Sequence, residues 1–258
     1  MSNSLNRRRF LIGGGLGAGA LALGGAYALK PRMDINHLLQ STDSLTMQSQ
    51  RLILRLRPLA KEFSDADISP IFRVNGTEAP DSREYISLHQ NNFADWRLKV
   101  DGLVHRPLEF SLADLKAMPS RTQITRHDCV EGWSAIGKWT GVPLGQLLQA
   151  AGVKTEGRFV VFHCADELEK TFDGSGRYYE SIDLIDAFHP QTILAYAMND
   201  ADLTVGHGAP IRLRVERQLG YKQAKYVMRI EVVDSFKNLW GGKGGFWEDR
   251  GYQWYAGI

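Results

Sequence analysis

The residues best suited to chemistry gather around Cys129, one of only two cysteines in the chain. The run Arg126-His127-Asp128-Cys129-Val130-Glu131-Gly132-Trp133-Ser134 sets a cation, an imidazole, carboxylates and an indole within a few residues of a thiol. The thiolate is the form of cysteine that binds metal or attacks an electrophile. A neighbouring cation favours it, so Arg126 or His127 is expected to lower the Cys129 pKa. The second cysteine, in Phe162-His163-Cys164, keeps a plainer reading open, because two cysteines in an exported protein also suit a disulfide.

The first residues bear on export. Asn6-Arg7-Arg8-Arg9-Phe10-Leu11 precedes a weakly apolar, Gly- and Ala-rich stretch from Ile12 to Leu29, with a small-x-small site at Ala26-Tyr27-Ala28. Residues 1–28 are similar to a twin-arginine export signal. The apolar run is nearly long enough to anchor the chain in a membrane if it is retained, although its glycines disfavour a permanent helical span. The twin-arginine machinery carries proteins that are already folded, commonly around a cofactor. A periplasmic location and a pre-loaded cofactor are therefore expected together.

The composition, 43% hydrophobic and 23% charged, is that of an ordinary globular protein. Removing Arg7, Arg8 and Arg9 from the 31 basic residues leaves 28 against 29 acidic ones, so the body is nearly neutral. It lacks the basic excess that displaces counterions from a nucleic acid, which excludes that class of partner.

Several elements must position the chemistry. Residues 29–69 read as a helical N-terminal extension. Ile35, Leu38, Leu39, Leu45, Leu52, Ile53 and Leu56 keep near a 3.6 period over 34–57, and Pro58 stops it. Residues 70–258 read as one larger domain. Trp96, Leu98 and Val100 alternate as a strand before the Asp101-Gly102 turn. Ser111 with Asp114 starts a short helix that ends before Pro119, and Leu144, Leu147, Leu148 and Ala151 form another, closed by Gly152. Arg158 to His163 and Tyr226 to Val233 read as strands. In a further strand Ile211, Leu213 and Val215 alternate with Arg212 and Arg214, which on their own read as its solvent face. Short helices and strands among long glycine-containing loops make the class α+β with a mixed β core. The tail, from Trp240-Gly241-Gly242-Lys243-Gly244-Gly245-Phe246-Trp247 to Tyr252, Trp254 and Tyr255, reads as packed on the body, or else as the lining of a pocket mouth.

The run from Arg126 to Leu144, ending Gly137-Lys138-Trp139-Thr140-Gly141-Val142-Pro143-Leu144, resembles the metal-binding segment of the sulfite oxidase superfamily, in particular its bacterial periplasmic members. The resemblance extends over residues 70–235. It implies a sulfite-oxidase-type molybdopterin-binding fold, a molybdenum–molybdopterin cofactor, and Cys129 as the catalytic thiolate ligand of the metal. A soft thiolate suits a metal already held by two dithiolene sulfurs. His207-Gly208-Ala209-Pro210-Ile211-Arg212, then Gly220-Tyr221-Lys222 and Lys225, match the stretch that holds pterin and phosphate in that family. The match implies a hydrogen bond from His207 and a planar fork from Arg212, with Lys222 and the backbone at Gly220 and Tyr221 closing around the phosphate. Arg212 and Lys222 suit a single terminal phosphate, the mononucleotide rather than the dinucleotide form. Phe72-Arg73-Val74-Asn75 matches an aromatic followed by a cofactor-touching Asn, against the plainer reading of Asn75-Gly76 as a turn. Cys164 falls where relatives place a small polar residue and reads as cofactor-facing. His189-Pro190-Gln191-Thr192 also recurs, and reads as a structural helix start.

Departures from the pattern narrow the implied chemistry. Sulfite oxidases carry Arg immediately before that Asn, where this chain has Val74, and an Asn-Arg-Arg stretch after the ligand Cys that is absent here. Those arginines help bind a sulfate-like anion. The resemblance therefore implies two-electron oxygen-atom transfer in the reductive direction, on an S-oxide or N-oxide, protein methionine sulfoxide included. No segment reads as a heme domain, which implies a separate redox partner, a membrane heme protein or cytochrome. Two alternatives stand beside this reading. One is a sulfite dehydrogenase using an external cytochrome. The other, of a different class, is a cofactor-free exported binding protein with a Cys129–Cys164 disulfide.

Overall fold

The structure, a computed structural model, describes residues 45–52 and 59–258. The expected signal at 1–28 lies outside them, as does most of the expected helix over 34–57, of which 45–52 is helical. The chain divides into two compact units, Met1–Ser49 and Gln50–Ile258. The second carries both sheets. Residues 59–69, expected within a helical extension, instead run along the second sheet: Glu62 bridges Thr125, and the Ser69 amide donates to Ile136 O at 3.0 Å. Among the described residues no helix is long and apolar enough to cross a membrane.

The first sheet has the order β2 (Leu108–Ser111), β1 (Arg97–Gly102), β10 (Val227–Val233), β5 (Phe159–Glu167) and β6 (Arg177–Asp183). Strand β1 obeys the period of two, with Leu98 and Val100 buried between exposed Arg97 and Lys99. It pairs in parallel with β10, Lys99 opposite Arg229 and Val100 opposite Ile230. Since these strands come from opposite ends of the domain, neither end completes the sheet alone.

The second sheet runs β3 (Arg121–Cys129), β4 (Trp133–Pro143), β7 (Ile193–Met198) and β8 (Ala201–Asp202), with β9 (Arg212–Arg214) also on β7. At Gly141 the β4 backbone passes so close to β7 that an added Cβ would lie 2.1 Å from Leu194 O. Helix α1 (Arg83–Gln90) precedes β1, and α2 (Leu112–Ala117), α3 (Leu144–Ala151) and α4 (Leu184–Ala187) lie between strands. Helix α2 opens with the expected capping box between Ser111 and Asp114, and α3 closes at Gly152, whose φ of 70° is the left-handed cap that glycine favours. The architecture is therefore α+β with a mixed β core and short helices, as the pattern of the sequence implied.

One expected helix start is not one. His189-Pro190-Gln191-Thr192 follows α4 and leads into β7. Its part is structural: buried Gln191 accepts from Ala60 N at 2.8 Å and donates to Ala60 O at 3.0 Å, while its own carbonyl takes a bond from Gln123 Nε2.

Replacing Gly141 by Ala forces a methyl group into the β4–β7 contact. We expect a loss of about 1–3 kcal/mol, the usual cost of overpacking, read as a lower urea midpoint at unchanged slope. A midpoint equal to that of the parent protein would show that the strands part freely there.

Candidate active site

Cys129 is the last residue of β3 and pairs with Trp133 across a tight hairpin. The turn Val130-Glu131-Gly132 closes through Gly132 N to Cys129 O at 3.1 Å, with Gly132 at a φ of 86° that L side chains rarely adopt. The two-residue period puts Gln123, Thr125, His127 and Cys129 on one face of β3, and Arg126 on the other.

That parity corrects the expected activation of the thiol. Arg126 Nε is held by Asp128 at 2.9 Å, away from Cys129. His127 is fully buried. Burial, then Arg214 and Arg212, hold its pKa well below the ordinary value, so it is a neutral imidazole. Burial pushes the Cys129 thiol up; the backbone N–H groups of Glu131 and Val130 oppose this, and the Glu131 charge adds to the rise. Neither predicted neighbour supplies a positive charge. Both cysteines are free thiols, which removes the disulfide expected as an alternative.

Cys129 opens into a solvent-connected cleft, lined also by Asn75, Gly76, Thr77, Val130, Glu131 and Asp166. Leu168, Tyr178, Gly220, Tyr221, Gln223, Lys225, Trp247 and Tyr252 complete the walls. Of the residues singled out from the sequence, the cleft brings together Asn75, Cys129, Gly220, Tyr221 and Lys225. Cys164, His207, Arg212 and Lys222 do not line it.

Their placement is specific. Cys164 is buried in β5, where burial pushes its thiol well up. His207 shares a hydrogen bond with Thr204 Oγ1 at 2.8 Å, and its Nε2 lies 3.1 Å from Phe72 O, pinning the 69–78 segment that carries Asn75. Lys222 is fully buried against Glu180 and Glu248. Arg212 and Arg214 are not a solvent face at all, since both are fully buried over Trp139, at 5.0 and 4.3 Å from its ring. Arg214 is neutralised by Glu216 at 2.6 Å. Arg212 has only carbonyl partners, His207 O at 3.1 Å and Gln223 O at 3.4 Å, and burial lowers its pKa to about 9. Gly208 lies between Arg212 and Lys225, so close that a Cβ would stand 3.1 and 3.0 Å from theirs. Lys225 donates to Thr77 O and to Gly206 O, and burial, then Arg212, bring it down to about 7.

The cluster of orphaned polar atoms is the test of what the cleft can hold. Thr77 Oγ1, Asp166 Oδ1 and Gln223 Oε1, in residues that line it, are buried without a well-formed hydrogen bond, and so is His127 Nε2 just behind; Thr77 with Asp166, and His127 with Gln223, are near enough only for loose interaction with each other. Arg212 Nε has no partner among the described residues. Arg214 Nη1 donates to His127 Nδ1 at 3.1 Å, which fixes the proton on Nε2 and makes that nitrogen a buried donor. It lies directly against Gly220, where a Cβ would be only 2.5 Å away. Buried polar groups are nearly always satisfied, so this concentration of donors, acceptors and one uncompensated cation fits a polar heterocycle bearing an anionic group. Among the described residues no three His, Cys, Asp or Glu converge as an all-protein metal site. Asp166 had a signal in the sequence, as a carboxylate on the inward parity of β5 with Phe162 and Cys164, and His127 shares parity with Cys129. Trp247 and Tyr252 could be read only as part of an aromatic tail.

A free thiol at the mouth of a cleft with these unpaired groups defines a redox domain built around a bound organic cofactor. The chain belongs to the oxidoreductase molybdopterin binding domain family, which matches residues 85–240, more than half of its length. The expected kinship with the sulfite oxidase superfamily is thereby met, and the chain carries the molybdopterin-binding domain of an oxidoreductase. It is 42% identical over 164 residues to the "Putative protein-methionine-sulfoxide reductase subunit YedZ1" of Azospira oryzae, covering 64% of this chain and 56% of that one. It is 32% identical over 246 residues to the protein-methionine-sulfoxide reductase catalytic subunit MsrP of Campylobacter jejuni, covering 91% of this chain and 75% of that one. The sulfane dehydrogenase SoxCD from Paracoccus pantotrophus is similar at 28% identity and a TM-score of 0.49, over 55% of this chain and 39% of the other. The chain thus spans little more than half the length of the Azospira relative.

The two thiols differ in access. Iodoacetamide on native, cofactor-free protein is expected to modify Cys129 and spare buried Cys164, while both react after denaturation. Peptide mass spectrometry checks this. Two cysteines that stay unmodified after denaturation without reductant would restore the disulfide.

Proposed function

We propose that the protein is a periplasmic molybdenum–molybdopterin reductase that takes oxygen from a neutral S-oxide or N-oxide, methionine sulfoxide in polypeptides included. The observation that carries this reading is the charge of the cleft. Two carboxylates, Glu131 and Asp166, line it, and among its lining residues there is no arginine. Its single ammonium, on Lys225, is already engaged by Thr77 O and Gly206 O. A sulfite-like anion would meet those carboxylates without the guanidinium fork that usually offsets such charge. A neutral oxide meets no such repulsion, and Val130, Leu168, Trp247 and Tyr252 offer apolar surface for its substituents. The names of the Azospira and Campylobacter relatives agree with sulfoxide as substrate.

When bound, the cofactor in its mononucleotide form supplies two-electron oxygen-atom chemistry. Cys129 would hold the metal. Arg212, whose partners among the described residues are carbonyl oxygens, is the cation suited to the terminal phosphate, with the backbone at Gly220 and Tyr221. His127 Nε2 and Gln223 Oε1 offer a donor and an acceptor to the pterin, and Asn75 adds a further amide at the wall. His207 acts from behind, by fixing Phe72 and the segment around Asn75. Two electrons and two protons convert a sulfoxide to thioether and water. The electrons come from a separate membrane heme protein or cytochrome. The pattern at residues 1–28 supports delivery, already folded, by the twin-arginine machinery.

Protein exported with residues 1–28 intact is expected to carry molybdenum and pterin in equal amounts, by metal analysis and pterin fluorescence. Its reduction of methionine sulfoxide with a viologen donor should exceed its oxidation of sulfite with cytochrome c. Cys129→Ser should lower that reduction by more than about 100-fold, the upper loss for groups that merely support a metal ligand. Protein without molybdenum, or a preference for sulfite, would overturn the proposal.

A further inference from the structure

Lys222 is held by acids rather than presented to the cleft. Its ammonium, with no exposure to solvent, bonds Glu180 of β6 and, at 2.5 Å, Glu248. Each partner adjoins something the cleft uses. Lys222 ends the 3-10 turn Gly220–Lys222, whose Gly220 and Tyr221 are wall residues. Glu248 starts the turn Glu248–Arg250 and directly follows the wall residue Trp247. One buried ammonium therefore ties together a strand, the turn behind the cleft, and the C-terminal arm.

We propose that Lys222 is a positioning residue, which with Glu180 and Glu248 clamps the arm of residues 241–256 so that Trp247 and Tyr252 form the substrate-selecting wall. The proposal rests on the reading of the cleft as the substrate site.

The glycines of the arm are shaped to this clamp. At Gly245 a Cβ would lie 2.0 Å from Glu248 Oε2 and 2.8 Å from Glu180 Oε1, so any side chain there would displace the carboxylates. The cluster is also fully buried and short of partners: Glu180 Oε2 and Glu248 Oε2 have no hydrogen bond among the described residues. Burial, then the neighbouring Glu248, pushes the Glu180 carboxyl well up, so the proton that balances two acids against one ammonium belongs on Glu180. Removing the ammonium would strand the Glu248 carboxylate in the interior, the costly way to break a buried pair. The second ion pair of the arm, Arg250 with Glu169, is solvent-exposed and contributes little by comparison.

What the clamp holds is an aromatic surface. Trp247 and Tyr252 lie 5.3 Å apart at 31°, and Tyr252 meets Tyr221 edge-on at 5.2 Å. Tyr221 Oη donates to Gln253 O at 2.6 Å, and Phe246 N to Tyr179 O at 3.0 Å, so the arm docks on the same two segments that the clamp joins. The family match ends at residue 240, and this wall is therefore built by residues outside the matched domain. The backbone at Gly220 and Tyr221 is held independently of the Lys222 side chain, by Gln223 N on Gly220 O and Tyr178 Oη on Tyr221 O, so loss of the ammonium is expected to act through the arm, on affinity more than on cofactor loading.

The test uses the exported holoprotein with Lys222→Met, and Lys222→Arg as the conservative rescue. Molybdenum and pterin content are expected to stay at the parent level. Amide hydrogen exchange over 241–256 should accelerate by at least about 10-fold, because the clamp no longer closes that segment. KM for methionine sulfoxide should rise while kcat changes less, and Lys222→Arg should return exchange and KM towards the parent values. Should Lys222→Met fail to fold, Glu248→Gln is measured in the same way and must loosen the same segment. Loss of pterin with the arm still protected would instead make Lys222 a cofactor ligand and overturn the proposal. Unchanged exchange and KM with full cofactor content would overturn it as well. The exchange measurement does not depend on turnover, so a protein inactive on every oxide would count against the proposed function while leaving the clamp to be judged by itself.

Discussion

Two guanidinium groups packed against one indole, with a single carboxylate between them, set the terms for the second sheet. Arg212 and Arg214 come from the three-residue strand β9 and bury against Trp139 of β4, so the indole is shared by two cations. A buried cation is tolerated when it is paired, and Glu216 does this for Arg214. Among the described residues nothing does it for Arg212, whose partners are carbonyl oxygens and whose Nε has none. On the function proposed above, the anionic group of the cofactor would complete the charge balance of the core, and binding would then be coupled to stability.

The same contact reaches the thiol end of the cleft. Arg214 fixes the tautomer of His127, and His127 stacks on Trp133 at 5.4 Å, the residue paired with Cys129 at the head of the hairpin. Phe72 closes the set from the other side, edge-on to Trp139 and Trp133 and bonded through its carbonyl to His207. The thiol is thus placed by a continuous packed chain from β9 through β3 to the 69–78 segment. No loop in this chain is free to drift without disturbing a buried charge. Charge in the site is mixed, with Lys225 sharing the walls with Glu131 and Asp166 while Arg212 stands behind them.

How much of this can be read from sequence follows from what alternation reports. A period of two tells which residues share a face, and it served well for Leu98 and Val100 in β1 and for the caps at Ser111 and Gly152. It does not tell whether the opposite face is covered. Ile211, Leu213 and Val215 alternating with Arg212 and Arg214 have the pattern of a half-exposed strand, yet β9 is buried on both faces because Trp139 and Glu216 receive the arginines. The same limit explains His127 and Arg126, whose nearness to Cys129 along the chain said nothing of which one shares its face. Lys222 shows a different limit. Its partners lie 42 and 26 residues away and are joined to it only by the fold, so family likeness suggested a phosphate where the structure supplies acids. The thiol hairpin, by contrast, is local, and local chemistry survives in the sequence.

The walls of the cleft divide along a line that none of these patterns marks. The thiol, the carboxylates Glu131 and Asp166, Gln223 and Lys225 all lie within residues 85–240, as do Arg212 and His127 behind them. Asn75, Gly76 and Thr77 come from before that span, and Trp247 and Tyr252 from after it. The matched domain thus contains the groups that can hold a cofactor and set the charge of the cleft, while the flanks finish its enclosure. The 69–78 segment is pinned by Lys225 and Tyr226 at Thr77 O, and the arm by Lys222 at Glu248. In each case a lysine from the run 222–225 makes the attachment. That short run is placed where a change of flank can alter what enters the cleft without rebuilding the sheets that hold Cys129.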